Sequence, residues 1–293
     1  MKNHHSALRF FTIAASAVIL FMATPAPAQV LGTAGSYGVL GGSTVTNTGN
    51  TVITGDLGVS PGSAITGFSV IDGGPGLFTG ALNQGNLASA QARADATAAY
   101  LTLAAQSFTS DLSGLDLGGL TLTPGVYFFS SSAQLTGALT LNAQGNSDAR
   151  FVFQIGSTLT TASNSLVNII NVSPSAVCGP DNGLFWQVGS SATIGTNSTF
   201  SGNILALTSI TLNTGASIDD GRALALNGAV TLDNNRIDAS DTDGGFCVDV
   251  GGGGGGNITP VPEPSTYGLL GACVLLFAAR RRRTAGRRNT PQV

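Results

Sequence analysis

Gly195-Thr196-Asn197-Ser198-Thr199-Phe200 returns eighteen residues later as Asn213-Thr214-Gly215-Ala216-Ser217-Ile218. The residues that follow repeat as well: Gly202-Asn203-Ile204-Leu205-Ala206-Leu207 is matched by Gly221-Arg222-Ala223-Leu224-Ala225-Leu226. A repeat this short, built of Thr, Asn, Gly and aliphatics, is one coil of a β-solenoid. Each coil buries its apolar edge only against the next. Working outward, Phe151-Val152-Phe153-Gln154-Ile155 recurs as Leu184-Phe185-Trp186-Gln187-Val188. The triplets at Thr140, Thr158, Thr193, Thr211 and Thr231 each hold one aliphatic residue between small polar ones. Period-2 alternation turns that residue inward, so Leu141, Leu159, Ile194, Leu212 and Leu232 are expected to stack in one interior column. Ile204–Leu207 and Ala223–Leu226 are apolar throughout, as in strands covered on both sides.

The N-terminal part, Ser36 to Val70, reads as short strands with turns at Gly41-Gly42, Gly49-Asn50 and Pro61-Gly62. The pattern then changes. Leu87, Ala90, Ala94, Ala98, Leu101, Ala105 and Phe108 recur at three- and four-residue steps, and glycine is absent from Asn86 to Ser113. This predicts one long amphipathic helix over about 86–112, its alanine-rich stripe lying close against whatever it covers.

Both ends of the chain carry addresses. Residues 1–28 read as a secretory signal: Lys2 and Arg9, an apolar run from Phe10 to Met22, then Ala26-Pro27-Ala28 before Gln29. The expected domain occupies 29–250. Gly251–Gly256 opens a glycine-rich linker over 251–260. Residues 261–293 hold Val261-Pro262-Glu263-Pro264, an apolar segment from Tyr267 to Ala279 and the cluster Arg280–Arg283. This end resembles the PEP-CTERM sorting signal of Gram-negative bacteria. The resemblance implies export across the inner membrane and a transient anchor through the hydrophobic helix. An exosortase-type enzyme would then cut near the motif, leaving the protein at the cell surface or outside the cell. The arginines fit a cytoplasmic C-terminus.

Between Gln29 and Pro262 there are fourteen Asp, only Arg93, Arg150, Arg222 and Arg236, and no lysine. Such an acidic body lacks the clustered cations that nucleic acid or an anionic membrane requires. Both histidines, His4 and His5, lie in the signal. The remaining chain therefore has no histidine for acid–base triads or the common zinc sites, and no enzyme activity, cofactor or metal is expected. Asp219-Asp220-Gly221-Arg222 resembles the Asp and Arg sets of polysaccharide-cleaving β-helices, but the preceding coil keeps only the turn glycine, so it reads as a polar turn. Asp238, Asp241 and Asp243 form only a fragment of a calcium loop and read as a solvated acidic tail. Cys178 and Cys247 are available for one disulfide in an oxidising compartment.

Tyr37-Gly38-Val39-Leu40-Gly41-Gly42-Ser43-Thr44-Val45-Thr46-Asn47-Thr48-Gly49-Asn50-Thr51, with Thr54-Gly55-Asp56-Leu57-Gly58-Val59-Ser60-Pro61-Gly62, resembles the N-terminal signature of the DUF3494 ice-binding family. The likeness continues through the alanine-rich helix and Leu122-Thr123-Pro124-Gly125-Val126-Tyr127 to about Ile237. It implies a mainly β, irregular right-handed β-solenoid of triangular section with one long helix packed along it. It also implies a motif of Thr, Ala or Gly, any residue, then Thr or Asn. Thr48–Thr51 and Thr161–Asn164 match fully; Thr214–Ser217 ends in Ser, and Thr196–Thr199 departs at Asn197. The expected ice-binding residues are therefore Thr48, Thr51, Thr161, Asn164, Thr196, Thr199, Thr214 and Ser217. They would form a flat array in contact with an ice or water surface, inhibiting ice growth or recrystallisation. The alternative is a structural or adhesive solenoid of the cell surface or biofilm matrix, touching exopolysaccharide and without ice activity.

Overall fold

The computed structural model describes residues 30–146, 148–173 and 183–240. The signal, the linker, the sorting segment, Cys178, Cys247, Asp241 and Asp243 all lie outside the described residues. Strands of mostly three to six residues alternate with tight corners, and each full coil gives one strand to each of three parallel sheets. Sheet A holds nine strands, sheet B seven and sheet C eight.

Spatial order departs from chain order. Across sheet A the strands run Leu82–Gln84, Asp56–Val59, Tyr37–Gly41, Ala223–Ala225, Asn203–Ala206, Gly183–Val188, Arg150–Ile155, Gly125–Phe129, Ser110–Asp111. The first coils thus form one end of the stack. The chain then crosses to the opposite end and builds coils back until Leu224 pairs with Leu40. The crossing spans eight inter-strand steps, about 38 Å at ~4.8 Å each. An α-helix, Leu87–Ala104, covers about 27 Å of it at 1.5 Å per residue.

The helix is fixed at both ends. Asn86 accepts a hydrogen bond from the Ser89 amide and Ser89 Oγ receives one from the Asn86 amide, a reciprocal cap. At the other end Gln154 Nε2 donates to the carbonyls of Leu103 at 2.7 Å and Gln106 at 2.8 Å. That side chain satisfies carbonyls the helix leaves open, and Phe108 turns away to stack on Phe128 at 4.9 Å. The helix is therefore shorter than the 86–112 span expected from composition. Its buried face also differs. Ala92, Ala96, Ala99, Tyr100 and Leu103 pack on sheet A, whereas Leu87 and Leu101 of the expected stripe are exposed. With alanine on nearly every side, spacing alone admits two faces, and the larger Tyr100 and Leu103 decide between them.

Two apolar cores result. One fills the solenoid, and the other, built on Leu40, Val152, Phe185, Leu205 and Leu224, lies between sheet A and the helix. The central strands of sheet A are buried on both faces, as their apolar sequences required. Inside, Phe153 stacks on Trp186 with ring centroids 4.0 Å apart, and Trp186 meets Phe200 at 4.8 Å. Trp186 Nε1 donates to the Ser201 carbonyl, so its one polar atom is satisfied in the core. Leu141, Leu159, Ile194, Leu212 and Leu232 are all buried, but they do not form one column. Ile194 pairs with Leu212, Leu232 pairs with Asn47, Leu159 stands two positions earlier along its strand, and Leu141 belongs to sheet C. The triplets look alike in sequence because Thr precedes the aliphatic residue in each, yet Thr158 and Thr160 both flank Leu159 and only Thr160 is in register with Thr193.

The corner from sheet C to sheet A explains the turn glycines. A Cβ on Gly221 would stand 2.0 Å from the Gly202 carbonyl oxygen, so the coils close only with glycine there. The neighbouring Arg222 is buried and donates to the carbonyls of Gly35 and Ala239 and to Asn203 Oδ1. It ties three segments together, in keeping with a structural turn.

Candidate functional site

Three faces are available to a solenoid of three sheets. The outer face of sheet A lies beneath the helix. The outer face of sheet C carries Arg236 paired with Asp219 at 2.5 Å and Asp238 at 2.6 Å, flanked by exposed Val52, Leu77 and Leu166. Burial raises the Asp219 carboxyl above its ordinary value, and Arg236 opposes that shift. Sheet B differs from both. Its outward residues pair in the series Thr160–Thr193, Thr193–Thr211, Thr211–Thr231, Thr231–Thr46 and Thr46–Thr66. Six threonines thus stand in one unbroken ladder across six coils, with Gln134 next to Thr160 at its end.

The side chains between them point inward and are buried: Leu159, Ala192, Ile194, Ile210, Leu212, Val230, Leu232, Val45 and Ile65. That inward anchoring pins the register, since a slip of one residue would turn each threonine into the core. Two residues earlier on each strand, Thr158, Ser191, Ser209, Ala229 and Thr44 make a second, parallel row of small neutral groups. Its hydroxyls are held from coil to coil. Thr158 Oγ1 donates to Ser132 Oγ at 2.8 Å, Ser191 Oγ accepts from the Ser209 amide at 3.4 Å, and Ser209 Oγ accepts from the Ala229 amide at 3.2 Å. Neither row contains an ionisable group.

The residues expected from the four-residue motif lie elsewhere, at the corner between sheets B and C and on sheet C. Thr196 and Thr214 are coil equivalents, and Thr199 pairs with Ser217 on sheet C. Arg236 follows Ser217 in that row, so it is not charge-free. Thr48 and Asn164 are exposed at corners. Thr51 and Thr161 are buried, which removes them from any surface array. Thr51 Oγ1 donates to Asn47 Oδ1 and accepts from the Asn235 amide; Thr161 Oγ1 accepts from the Gly195 amide at 2.8 Å. They close corner hydrogen bonds inside the solenoid. Nor do the four motifs share a register. Thr160 pairs with Thr193, so Thr161–Asn164 aligns with Ile194–Asn197, two residues out of step with Thr196–Thr199. What recurs at the corner is a left-handed residue: Asn164 (φ 59°), Asn197 (φ 54°), Gly215 (φ 74°) and Asn234 (φ 55°). Asn and Gly tolerate that conformation best, which explains why the motif carries them.

A family model described as Ice-binding-like matches residues 39–238. This chain belongs to the ice-binding-like family. A second model, the PEP-CTERM protein-sorting motif, matches residues 260–283. An ice-binding protein of Nostoc sp. (strain HG1) is 52% identical over 263 residues, covering 89% of this chain and 90% of the relative. The ice-binding protein K3-B1 of Typhula ishikariensis is 34% identical, covering 70% and 88%. Among solved structures, an ice-binding protein from an Antarctic biological consortium superposes with a TM-score of 0.65 at 44% identity, covering 76% of this chain and 96% of its own. One from the Antarctic ascomycete Antarctomyces psychrotrophicus gives 0.63 at 40% identity, covering 71% and 97%. The family model's match at residues 39–238 spans strands of all three sheets, the helix and the threonine ladder.

Proposed function

We propose that this protein adsorbs to ice through the outer face of sheet B, and so inhibits ice growth or recrystallisation. The observation that carries the reading is the ladder from Thr160 to Thr66, supported by the family and its named ice-binding relatives. Its threonines repeat every ~4.8 Å between coils, and the second row lies about 6.6 Å away along each strand. Each threonine presents a methyl, beside which water forms a cage, and a hydroxyl that anchors that cage. β-Branching restricts χ1, and the coil-to-coil hydrogen bonds restrict the backbone, so little conformational entropy remains to be lost on adsorption. A charged group would instead hold a hydration shell incompatible with the lattice. The protein works outside the cytoplasm: the sorting motif supports export and a transient membrane anchor, with an exosortase-type enzyme as the processing partner. Catalysis plays no part in this mechanism.

The test separates sheet B from the corner and sheet C. Thr211→Tyr, at the middle of the ladder, should abolish ice shaping by the purified Gln29–Val250 segment without lowering its melting temperature. Thr199→Tyr, on sheet C, should leave activity intact. Equal loss in both variants, or activity surviving in Thr211→Tyr, would overturn the assignment.

A further inference from the structure

The two long borders of sheet B are unlike. Towards sheet A the corner residues Ser157, Ser190, Thr208, Gly228 and Ser43 are small and neutral, linked by Ser190 N–H to Ser157 O, Thr208 N–H to Ser190 O, Gly228 N–H to Thr208 O and Ser43 N–H to Gly228 O. Towards sheet C, the residues two positions beyond the ladder threonines are Ala162, Gly195, Asn213, Asp233, Thr48 and the buried Phe68. Asp233 is the one ionisable side chain in that border row. Asp116 lies past Gln134 at one end of the ladder, bridged to it, and Asp72 lies past Thr66 at the other, its carboxylate accepting from the amides of Gly67, Phe68 and Gly74.

Asp233 is held in place. Its carboxylate accepts the Thr214 hydroxyl of the adjacent coil, and its amide donates to Asn235 Oδ1 at 2.6 Å. Asn235 is itself buried and donates to the carbonyls of Asn213 and Ala216. The backbone at Asp233 is thereby fixed from the core, and the Thr214 hydroxyl holds the carboxylate at the corner. It also takes up the hydroxyl of Thr214, which with Thr196 would otherwise continue the array round the corner. Only beyond it do Arg236, Asp219 and Asp238 begin.

Resting on the reading of sheet B as the ice-contacting face, we propose that Asp233 sets the boundary of that face, confining adsorption to sheet B and its sheet A border. A fixed carboxylate keeps its hydration shell, and stripping or distorting that shell against a growing lattice is unfavourable. Without the charge, Asn213, Thr48, Thr214 and Thr196 join the neutral surface, which then wraps both corners. Asp233→Asn keeps the shape and an oxygen to accept from Thr214, so the corner is preserved.

The experiment compares the Gln29–Val250 segment with Asp233→Asn and with Asp148→Asn, which removes the same charge from an exposed loop away from sheet B. Recrystallisation inhibition and the ice planes decorated by dye-labelled protein are measured, with melting curves for each. Asp233→Asn should lower the concentration for half-maximal inhibition by about twofold or more, about 0.4 kcal/mol in adsorption, and add a decorated plane; Asp148→Asn should match the starting protein. An unchanged Asp233→Asn that melts normally overturns the boundary role, as does an equal gain in Asp148→Asn, which would mark a net-charge effect. Should Asp233→Asn melt early, Asp233→Ser decides by the same readout. A starting protein with no ice activity fails the sheet B reading itself, a distinguishable result.

Discussion

At the scale of single residues, two threonines one position apart have opposite fates. Thr160 heads the outer ladder, while Thr161 turns inward to receive the Gly195 amide. The same holds for the corner hydroxyls. Thr51 sits at zero exposure and serves both Asn47 and the Asn235 amide, linking the first coil to the last. Replacing Thr51 with Ala leaves the Asn235 amide and Asn47 Oδ1 without this partner, at a cost of about 1–3 kcal/mol. The measurement is chemical unfolding of the segment, with a lowered midpoint and an unchanged slope expected. Ice shaping at temperatures where the variant stays folded should be unaffected, because Thr51 never meets solvent. A variant as stable as the parent but inactive on ice would restore Thr51 to the surface array. Residue identity thus says little until the register is known, which is why the four-residue motif selected corner and interior positions along with surface ones.

Among the elements, the helix is the one whose limits composition misplaced. Alanine content announced it, and its start near Asn86 was legible from where the glycine-free stretch begins. Its end was not, because it depends on Gln154, fifty residues further on and in another element. Removing that clamp with Gln154→Ala takes a donor from the carbonyls of Leu103 and Gln106 and should cost about 1–3 kcal/mol. Faster hydrogen exchange should appear at the helix C-terminus first, ahead of the sheet B amides; exchange unchanged at residues 101–106 would refute the clamp. The strands were more legible, since Phe151–Ile155 and Leu184–Val188 announce themselves by repeat and alternation. Yet the ladder was hidden within the same triplets. They displayed Thr beside Leu or Ile at Thr160, Thr193, Thr211 and Thr231, and the alternation that sends the aliphatic residue inward sends the threonine outward. What could not be read locally was that Thr46 and Thr66 complete the row, because Thr46 joins it through Thr231, nearly two hundred residues away, and Thr66 follows through Thr46.

At the scale of the whole molecule, the body between Gln29 and Pro262 is mostly acidic, and no charge stands in the ladder itself. Several carboxylates hold the fold: Asp72 is pulled below its ordinary value, first by the Gly67 amide, and Asp111 by Ser113. Asp95 and Asp116 are also lowered; burial, the largest influence on each, pushes upward but is outweighed by hydrogen bonds from Thr33 and Gln91 and from Thr136 and Gly118. A carboxylate with a lowered folded value stabilises above its unfolded value of 3.8 and loses that contribution as pH falls through the folded one. Thermal stability should therefore hold from about pH 5 upward and fall below about pH 4, measured by melting curves across that range. From about pH 5 upward ice activity should stay level, because no threonine titrates; a midpoint in activity at neutral pH would contradict this.

The pairing of Thr46 with Thr231 has a consequence for how the molecule comes into being. A ribosome delivers the first coil long before the last, yet the first coil's neighbour on one side is the last coil. The ladder therefore cannot grow one rung at a time in the order of synthesis. Its N-terminal rungs wait for the last coil, and the full six-rung row exists only once that coil has closed on the first. A chain that stops before Thr231 would display at most three rungs together, so the length of the ladder also certifies that the last coil was made.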